Sequence, residues 1–282
     1  AAVTHRAPYL FQYARAAGYD TAYWTAQNVV VSGARFFTHD QPVSQLSYAT
    51  TVRSTASVDY GISSDELVNY VIPRLPRLKE PFLAVVHFAA AHSPYYTDRR
   101  YSPYRRDKSH IPARYRNAVY LSDMGVAKLI AAVRNSPAGK RTVIVYTSDH
   151  GESFGENGNR GHTSGLAETE LRVPAWIDAP EGTLSPVEDK SLRSVKERYT
   201  WHIDLSATMM DLLGVWDDPA FAPFRKRVRG QPLTRPGFKD VPVPLTNCNW
   251  TWGCALQGGN WGIMDGPLKI WGKYFDRSGK FR

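Results

Sequence analysis

The chain has 282 residues, with 35 Lys and Arg against 26 Asp and Glu, a net charge of +9. A hydrophobic share of 43% is enough to bury a substantial core and excludes wholesale disorder, while two cysteines exclude a disulfide scaffold and a cysteine-rich zinc module. The longest apolar run, Phe82 to Ala91, falls far short of the ~20 residues of a membrane-spanning helix, so neither an anchor nor a signal peptide is expected within the chain.

In chain order, Pro8 to Ala17 reads as a helix stopped by Gly18, and Tyr19 to Thr25 as an aromatic, alternating strand. Residues 32–60 lack periodicity and read as surface loops. Ser63 with Glu66 forms a capping box that opens a short helix ending near Pro73. Phe82 to Phe88 is a continuous apolar run and predicts a buried central strand. A loop rich in Tyr, Arg, Ser and Pro follows, from Ala89 to Pro112. Val119, Met124, Val126, Leu129, Ile130 and Val133 then recur at helical spacing within Tyr115 to Asn135. Thr142 to Thr147 predicts a second buried strand, and Asp149 to Gly165 a polar loop. Arg172 to Ile177 predicts a third strand that Pro174 pushes to an irregular or edge position. Ile203 to Leu213 reads as a helix closed by Gly214, and Trp261 to Tyr274 as a last hairpin.

Strands alternating with helices predict α/β layering around a largely parallel sheet. Residues 1–215 would form the core and 216–282 an extension packed on it. Ligands of such folds sit beyond the carboxyl ends of the strands, which singles out two loops. One leaves Thr147 and carries Asp149 and His150, with Gly151 allowing a sharp turn and His162 further along. A carboxylate beside an imidazole suits zinc or manganese, and the same residues also suit a plain polar turn. The other loop carries His92, placed either for ordinary loop hydrogen bonds or to donate to an anionic oxygen and protonate a leaving group. His87, in mid-strand, reads as a satisfied core histidine, and His5, His39 and His110 as surface residues.

The positive balance points to an acidic partner, either anionic head groups at a membrane or nucleic acid, or to a basic solvated surface. Tyr101-Ser102-Pro103-Tyr104-Arg105-Arg106 mixes rings and charge in a way that suits stacked bases or lipid head groups.

The run SDHGESFGENG, then GH, then RVPAWI resembles the sulfatase and phosphoethanolamine-transferase branch of the alkaline phosphatase superfamily. FLAVVHFAAAHSPY, AAGYDT, Tyr115 to Val133 and HIDLSATMMDLLG resemble further segments of that branch, with Ala207 where a D-x-x-P-T-x-x-D pattern has proline. The resemblance covers roughly residues 8–215. It implies an alkaline-phosphatase-like sandwich, a mostly parallel sheet with helices on both faces and a small carboxyl-terminal hairpin region. It implies that Asp149 and His150 ligate a divalent ion, and that His92 and His162 hold the phosphate or sulfate group or a second metal. The donor pair fits zinc or manganese better than calcium or magnesium. The implied chemistry is attack on phosphorus or sulfur through a covalent enzyme intermediate.

In that branch another acidic ligand and the nucleophile lie upstream of the segment matching AAGYDT. Here no acidic residue precedes Asp20, and Thr4 is the only Ser or Thr before Gly18. The chain is therefore expected to be the carboxyl-terminal portion of a longer enzyme, impaired on its own. The basic, aromatic composition favours a membrane-anchored phosphoethanolamine or phosphoglycerol transferase over a sulfatase, outside the cytoplasm, with its anchor elsewhere. Its expected partners are an anionic lipid head group or a phosphate or sulfate ester, and not nucleic acid; no oligomeric state follows. A second enzyme class is raised by Gly151-Glu152-Ser153-Phe154-Gly155, a G-x-S-x-G elbow after a strand. A third reading is a non-catalytic lipid- or partner-binding module. Cys248 and Cys254 frame either a short disulfide loop or two thiols, and Asn249-Trp250-Thr251 is a formal glycosylation sequon.

Overall fold

A computed structural model describes residues 8–28, 43–59, 61–106, 108–158, 160–162, 165–247 and 260–273. Thr4, His5, His39, the two cysteines with the sequon between them, and Tyr274 lie outside these residues. The elements run α1 (Leu10–Ala16), β1 (Asp20–Thr25), β2 (Gln45–Ser47), α2 (Ala49–Val52), α3 (Ser64–Val71), β3 (Phe82–His87), α4 (Ala113–Arg134), β4 (Ile144–Thr147), β5 (Ser153–Phe154), β6 (Arg160–Gly161), α5 (Glu168–Leu171), β7 (Ala175–Asp178), α6 (Pro186–Ser194), α7 (His202–Leu212), α8 (Ala222–Arg225), β8 (Val243–Asn247), β9 (Asn260–Asp265) and β10 (Leu268–Lys273). They divide into two compact units, residues 1–142 with 203–232, and residues 143–202 with 233–282. Among the described residues no helix is long and apolar enough to cross a membrane.

The first unit is built on a parallel sheet in the order β2-β1-β3. Asp20 to Thr25 pairs in register with Phe82 to His87. The pleat sends alternate side chains to opposite faces. Ala22 and Trp24, with Ala84 and Val86, meet Leu67 and Val71 of α3 and Leu129 of α4. Leu83 turns the other way, to Tyr13 and Ala14 of α1 and Met210 of α7. Helices thus cover both faces, and the α/β fold expected from the sequence is present.

Three local expectations change. β2 is a strand of only three residues inside the stretch read as loop, too short to show a period. Among the described residues β3 stands at the edge of this sheet with only Leu83 of the strand buried, and the central place belongs to β1. In α4 the apolar Val119 and Met124 are exposed, and the buried positions are Asn117, Ala118 and Gly125. The cause is close approach: a Cβ on Gly125 would lie 3.0 Å from Cβ of Ser64 and 3.1 Å from the Phe88 ring. Small residues on α4 let it come near the start of α3, whose capping box forms as expected, with Glu66 N–H donating to Ser63 Oγ at 3.2 Å.

Asp20 fastens the entry of β1. Its carboxylate accepts from the Thr21 N–H at 2.9 Å and from the Lys79 N–H at 3.0 Å. Partial burial works to raise its pKa, but the Ser44 hydroxyl, these two N–H groups and nearby Arg15 together hold it below the ordinary carboxylate value. A depressed folded-state pKa means stability that is present above the unfolded value and is lost as pH falls through the folded one. Asp20→Asn is therefore expected to lower stability at neutral pH by about 1 kcal/mol. That difference should shrink in urea titrations carried below the folded-state pKa of Asp20; a difference unchanged down to the most acidic pH would contradict this account.

In the second unit β4 pairs with β7 in antiparallel fashion, and Tyr146 stacks on Trp176 with ring centroids 5.0 Å apart. β7 begins just after Pro174, as that residue's missing N–H requires. The polar loop after β4 is more ordered than its composition suggested: β5 and β6 pair as Ser153↔Gly161 and Phe154↔Arg160. The expected terminal hairpin is β9–β10, and β8 adds to it to give a three-stranded antiparallel sheet. One face of this sheet buries Asn260, Gly262 and Met264, while Trp261, Ile263, Leu268 and Ile270 are exposed on the other. Lys269 Nζ ties it to α5, donating to the Leu166 carbonyl at 2.8 Å and pairing with Glu168 at 2.7 Å.

Candidate metal- and anion-binding site

β4 ends at Thr147, and the chain turns at once. Ser148 Oγ donates to the His150 carbonyl at 2.9 Å, and the His150 N–H donates to Asp149 Oδ1 at 3.0 Å. The ring of His202 anchors the same turn, with Nε2 2.7 Å from the Ser148 carbonyl oxygen. His150 Nδ1–H donates to the Gly151 carbonyl at 2.9 Å, since a carbonyl only accepts. In the neutral form of the ring the other nitrogen, Nε2, carries the lone pair. It lies 3.5 Å from Asp149 Oδ2.

Gly151 serves this turn by leaving room for a close approach of backbone. Its N–H donates to the Glu170 carbonyl at 2.8 Å, and a Cβ there would lie 2.1 Å from the Thr169 carbonyl oxygen. His162 returns to the site from the end of β6. Its ring stacks on that of His150, with centroids 3.8 Å apart and planes 22° from parallel. His162 Nδ1 lies 3.4 Å from Glu152 Oε2, and that carboxylate is largely buried. The structure thus brings Asp149, His150 and His162 together.

His92 belongs to the first unit, in the turn after β3. Its N–H donates to the Ala89 carbonyl at 3.0 Å and its Nδ1–H to the Ser93 carbonyl at 2.7 Å. Tyr95 closes this turn at φ +64, a left-handed conformation that is costly for a residue with a side chain. Its N–H donates to the His92 carbonyl at 2.8 Å, its ring lies edge-on to Tyr115, and Arg114 donates to its carbonyl at 2.9 Å. His87 has the satisfied role expected of it, with Nδ1 3.0 Å from Thr25 Oγ1 and 3.3 Å from the Tyr23 hydroxyl.

The serine-elbow reading does not fit this geometry. Ser153 is buried in β5, with Oγ 2.7 Å from Thr169 Oγ1 and 3.2 Å from Glu170 Oε1. A short turn at Glu156–Gly158 follows, where the elbow needs a helix that would leave the hydroxyl exposed. Sequence reasoning passed over Glu152 and Glu170. Glu152 was visible as the acidic residue in the run between His150 and His162; Glu170 had no local signature beyond a carboxylate before an apolar strand.

The sulfatase family model matches residues 2–215. Over 111 residues the chain is 32% identical to the low-salt glycan biosynthesis sulfotransferase Agl7 of Haloferax volcanii, which covers 36% of this chain and 27% of that protein. Its fold is similar to that of a protein in the alkaline phosphatase superfamily from Vibrio parahaemolyticus, with a TM-score of 0.62, 18% identity, and coverage of 95% of this chain and 60% of that one. It is also similar to the lipoteichoic acid synthase LtaP of Listeria monocytogenes, with a TM-score of 0.65, 13% identity, and coverage of 98% and 67%. The chain spans about a quarter of the curated relative and 60% of the first of these structures.

Members of the superfamily are generally dependent on a divalent metal, and the residues present bear on that directly. Two ligands at about 2.0–2.1 Å from a tetrahedral ion stand roughly 3.4 Å from each other. The 3.5 Å between Asp149 Oδ2 and His150 Nε2 fits one edge of such a site, with the tautomer fixed through Gly151. Among the described residues no group of three or more His, Cys, Asp and Glu side chains completes it. The donor types of this pair are ones that suit a divalent ion. With the matched segment covering most of its length, the chain belongs to the sulfatase family.

Proposed function

We propose that this chain carries part of the ester-binding end of a metal-dependent hydrolase or transferase acting on a phosphate-type ester. The observation that carries the reading is the Asp149–His150 edge at the mouth of β4 with the His162 ring stacked against it. Asp149 and His150 would hold the ion, zinc or manganese by donor type. A bound divalent ion supplies positive charge to the ester oxygens. His162, oriented by Glu152, donates to one of those oxygens. His92, in the first unit, is by its chemistry a candidate to donate to an anionic or departing oxygen.

The net charge of +9 and the basic, aromatic run from Tyr95 to Arg106 favour an ester on an anionic lipid head group, met outside the cytoplasm at a membrane surface. A sulfate ester is the second reading, favoured by the family match and by the likeness to a sulfotransferase.

Calorimetric titration with Zn²⁺ and Mn²⁺ tests the site directly. About one ion per chain is expected, with affinity reduced on the order of a hundredfold in Asp149→Ala and in His150→Ala, because each loses one of the two proposed ligands. Equal affinity in wild type and both variants would overturn the proposal. Parallel assays of a chromogenic phosphodiester and a chromogenic sulfate ester separate the two readings, since metal-dependent turnover of the sulfate ester alone would replace the first by the second.

A further inference from the structure

The last residue of β8, Asn247, lies beyond the segment that matches the sulfatase family, yet it reaches the loop that carries His162. Its side-chain amide lies 2.7 Å from the Gly165 carbonyl, 3.2 Å from the His162 carbonyl and 3.4 Å from Glu170 Oε2. All three are acceptors, so only the NH₂ group satisfies them, and the orientation of the amide is fixed by chemistry. Glu170 continues the network. It is buried at 2% exposure, accepts from the Gly165 N–H at 3.3 Å through Oε2, and from Ser153 Oγ at 3.2 Å through Oε1. Ser153 in turn pairs across the β5–β6 ladder with Gly161, the residue before His162. The backbone on both sides of His162 is thus pinned, through Gly161 and through Gly165.

We propose that Asn247 is a positioning residue for His162. Its amide holds the His162 carbonyl and the start of α5 in one arrangement, and so fixes the His162 ring against that of His150. The inference rests on the reading that these two histidines belong to the ester site, and it adds a residue contributed by the carboxyl-terminal sheet. Buried amide–carboxylate networks of this kind set geometry when every member is satisfied.

The test is a comparison of imidazole ¹⁵N chemical shifts of His162 and His150 in the full chain for wild type, Asn247→Asp and Asn247→Ser. Asparagine and aspartate have the same shape, but the carboxylate cannot donate and faces Glu170; serine keeps one donor. Both variants are expected to move the His162 and His150 ring signals while those of His87 stay in place. His162 signals unchanged in either folded variant would overturn the inference. Asn247 side-chain amide protons in the wild type provide a reading that needs no variant. They should exchange more slowly than those of exposed Asn135, and exchange as fast as at Asn135 would overturn the inference as well. Absence of Zn²⁺ binding by the wild type counts against the proposed function, whereas the ring signals and amide exchange judge Asn247 alone.

Discussion

Gly61→Ala is expected to destabilise the first unit by about 3 kcal/mol or more, enough to leave much of the protein unfolded or insoluble. Gly61 closes a clasp between the end of β1 and the start of α3. Its N–H and carbonyl both bond to Ser57 at 3.0 Å, and the next residue, Ile62, donates to the Ala26 carbonyl at 3.0 Å. A Cβ at Gly61 would lie 1.7 Å from that carbonyl oxygen, an overlap that only movement of backbone relieves. The residue also sits at φ +69, which costs a further ~1–2 kcal/mol with a side chain present. Gly18→Ala provides the contrast. It has φ +84 but nothing within 4 Å of the added carbon, so it should show the conformational cost alone. Urea unfolding followed by circular dichroism measures both, and equal effects of the two substitutions would refute the steric argument.

Gly151→Ala is expected to abolish metal binding at the β4 mouth while costing the second unit about 2–3 kcal/mol. The added carbon would fall 2.1 Å from the Thr169 carbonyl oxygen, in the short helix whose Glu170 carbonyl receives the Gly151 N–H. Relief requires the turn to lift away, and that movement carries His150 with it, because the His150 ring is tied to the Gly151 carbonyl. Calorimetric titration with Zn²⁺ and a thermal melt read the two consequences. Normal affinity at a lowered melting point would show that the Asp149–His150 edge is set independently of this contact.

Elements that declare themselves locally were legible before the structure. Gly18 ends α1, Ser63 and Glu66 cap α3, and β3 and β4 lie within the apolar runs Phe82 to Phe88 and Thr142 to Thr147. The pairing of Asp149 with His150 was also legible, because a strand end followed by glycine constrains both side chains to one turn. What depends on distant partners was not. β2 is a strand only because β1 lies beside it, and the antiparallel sense of β7 against β4 leaves no mark in either segment. The buried face of α4 was misread because Gly125 and Asn117 outrank Val119 and Met124 there. Close approach rewards the absence of a side chain, and Asn117 exchanges two 2.9 Å hydrogen bonds with the backbone of Tyr104. Ser153 matched a motif and turned out to be an interior hydrogen-bonding group, while Asn247 sits in a segment with no motif at all.

The parallel ladder between β1 and β3 also sets an order of events in time. Asp20 meets Phe82, about 60 residues further along the chain, and β1 is the middle strand of its sheet. A ribosome adding roughly 5–20 residues per second leaves β1 without that neighbour for several seconds after it is made. Trp24, with Ala22 and Ala26 two positions to either side, waits through that interval with its apolar surface uncovered. Folding of the first unit is consequently governed by closure of a long loop more than by the speed at which α1 or α3 winds.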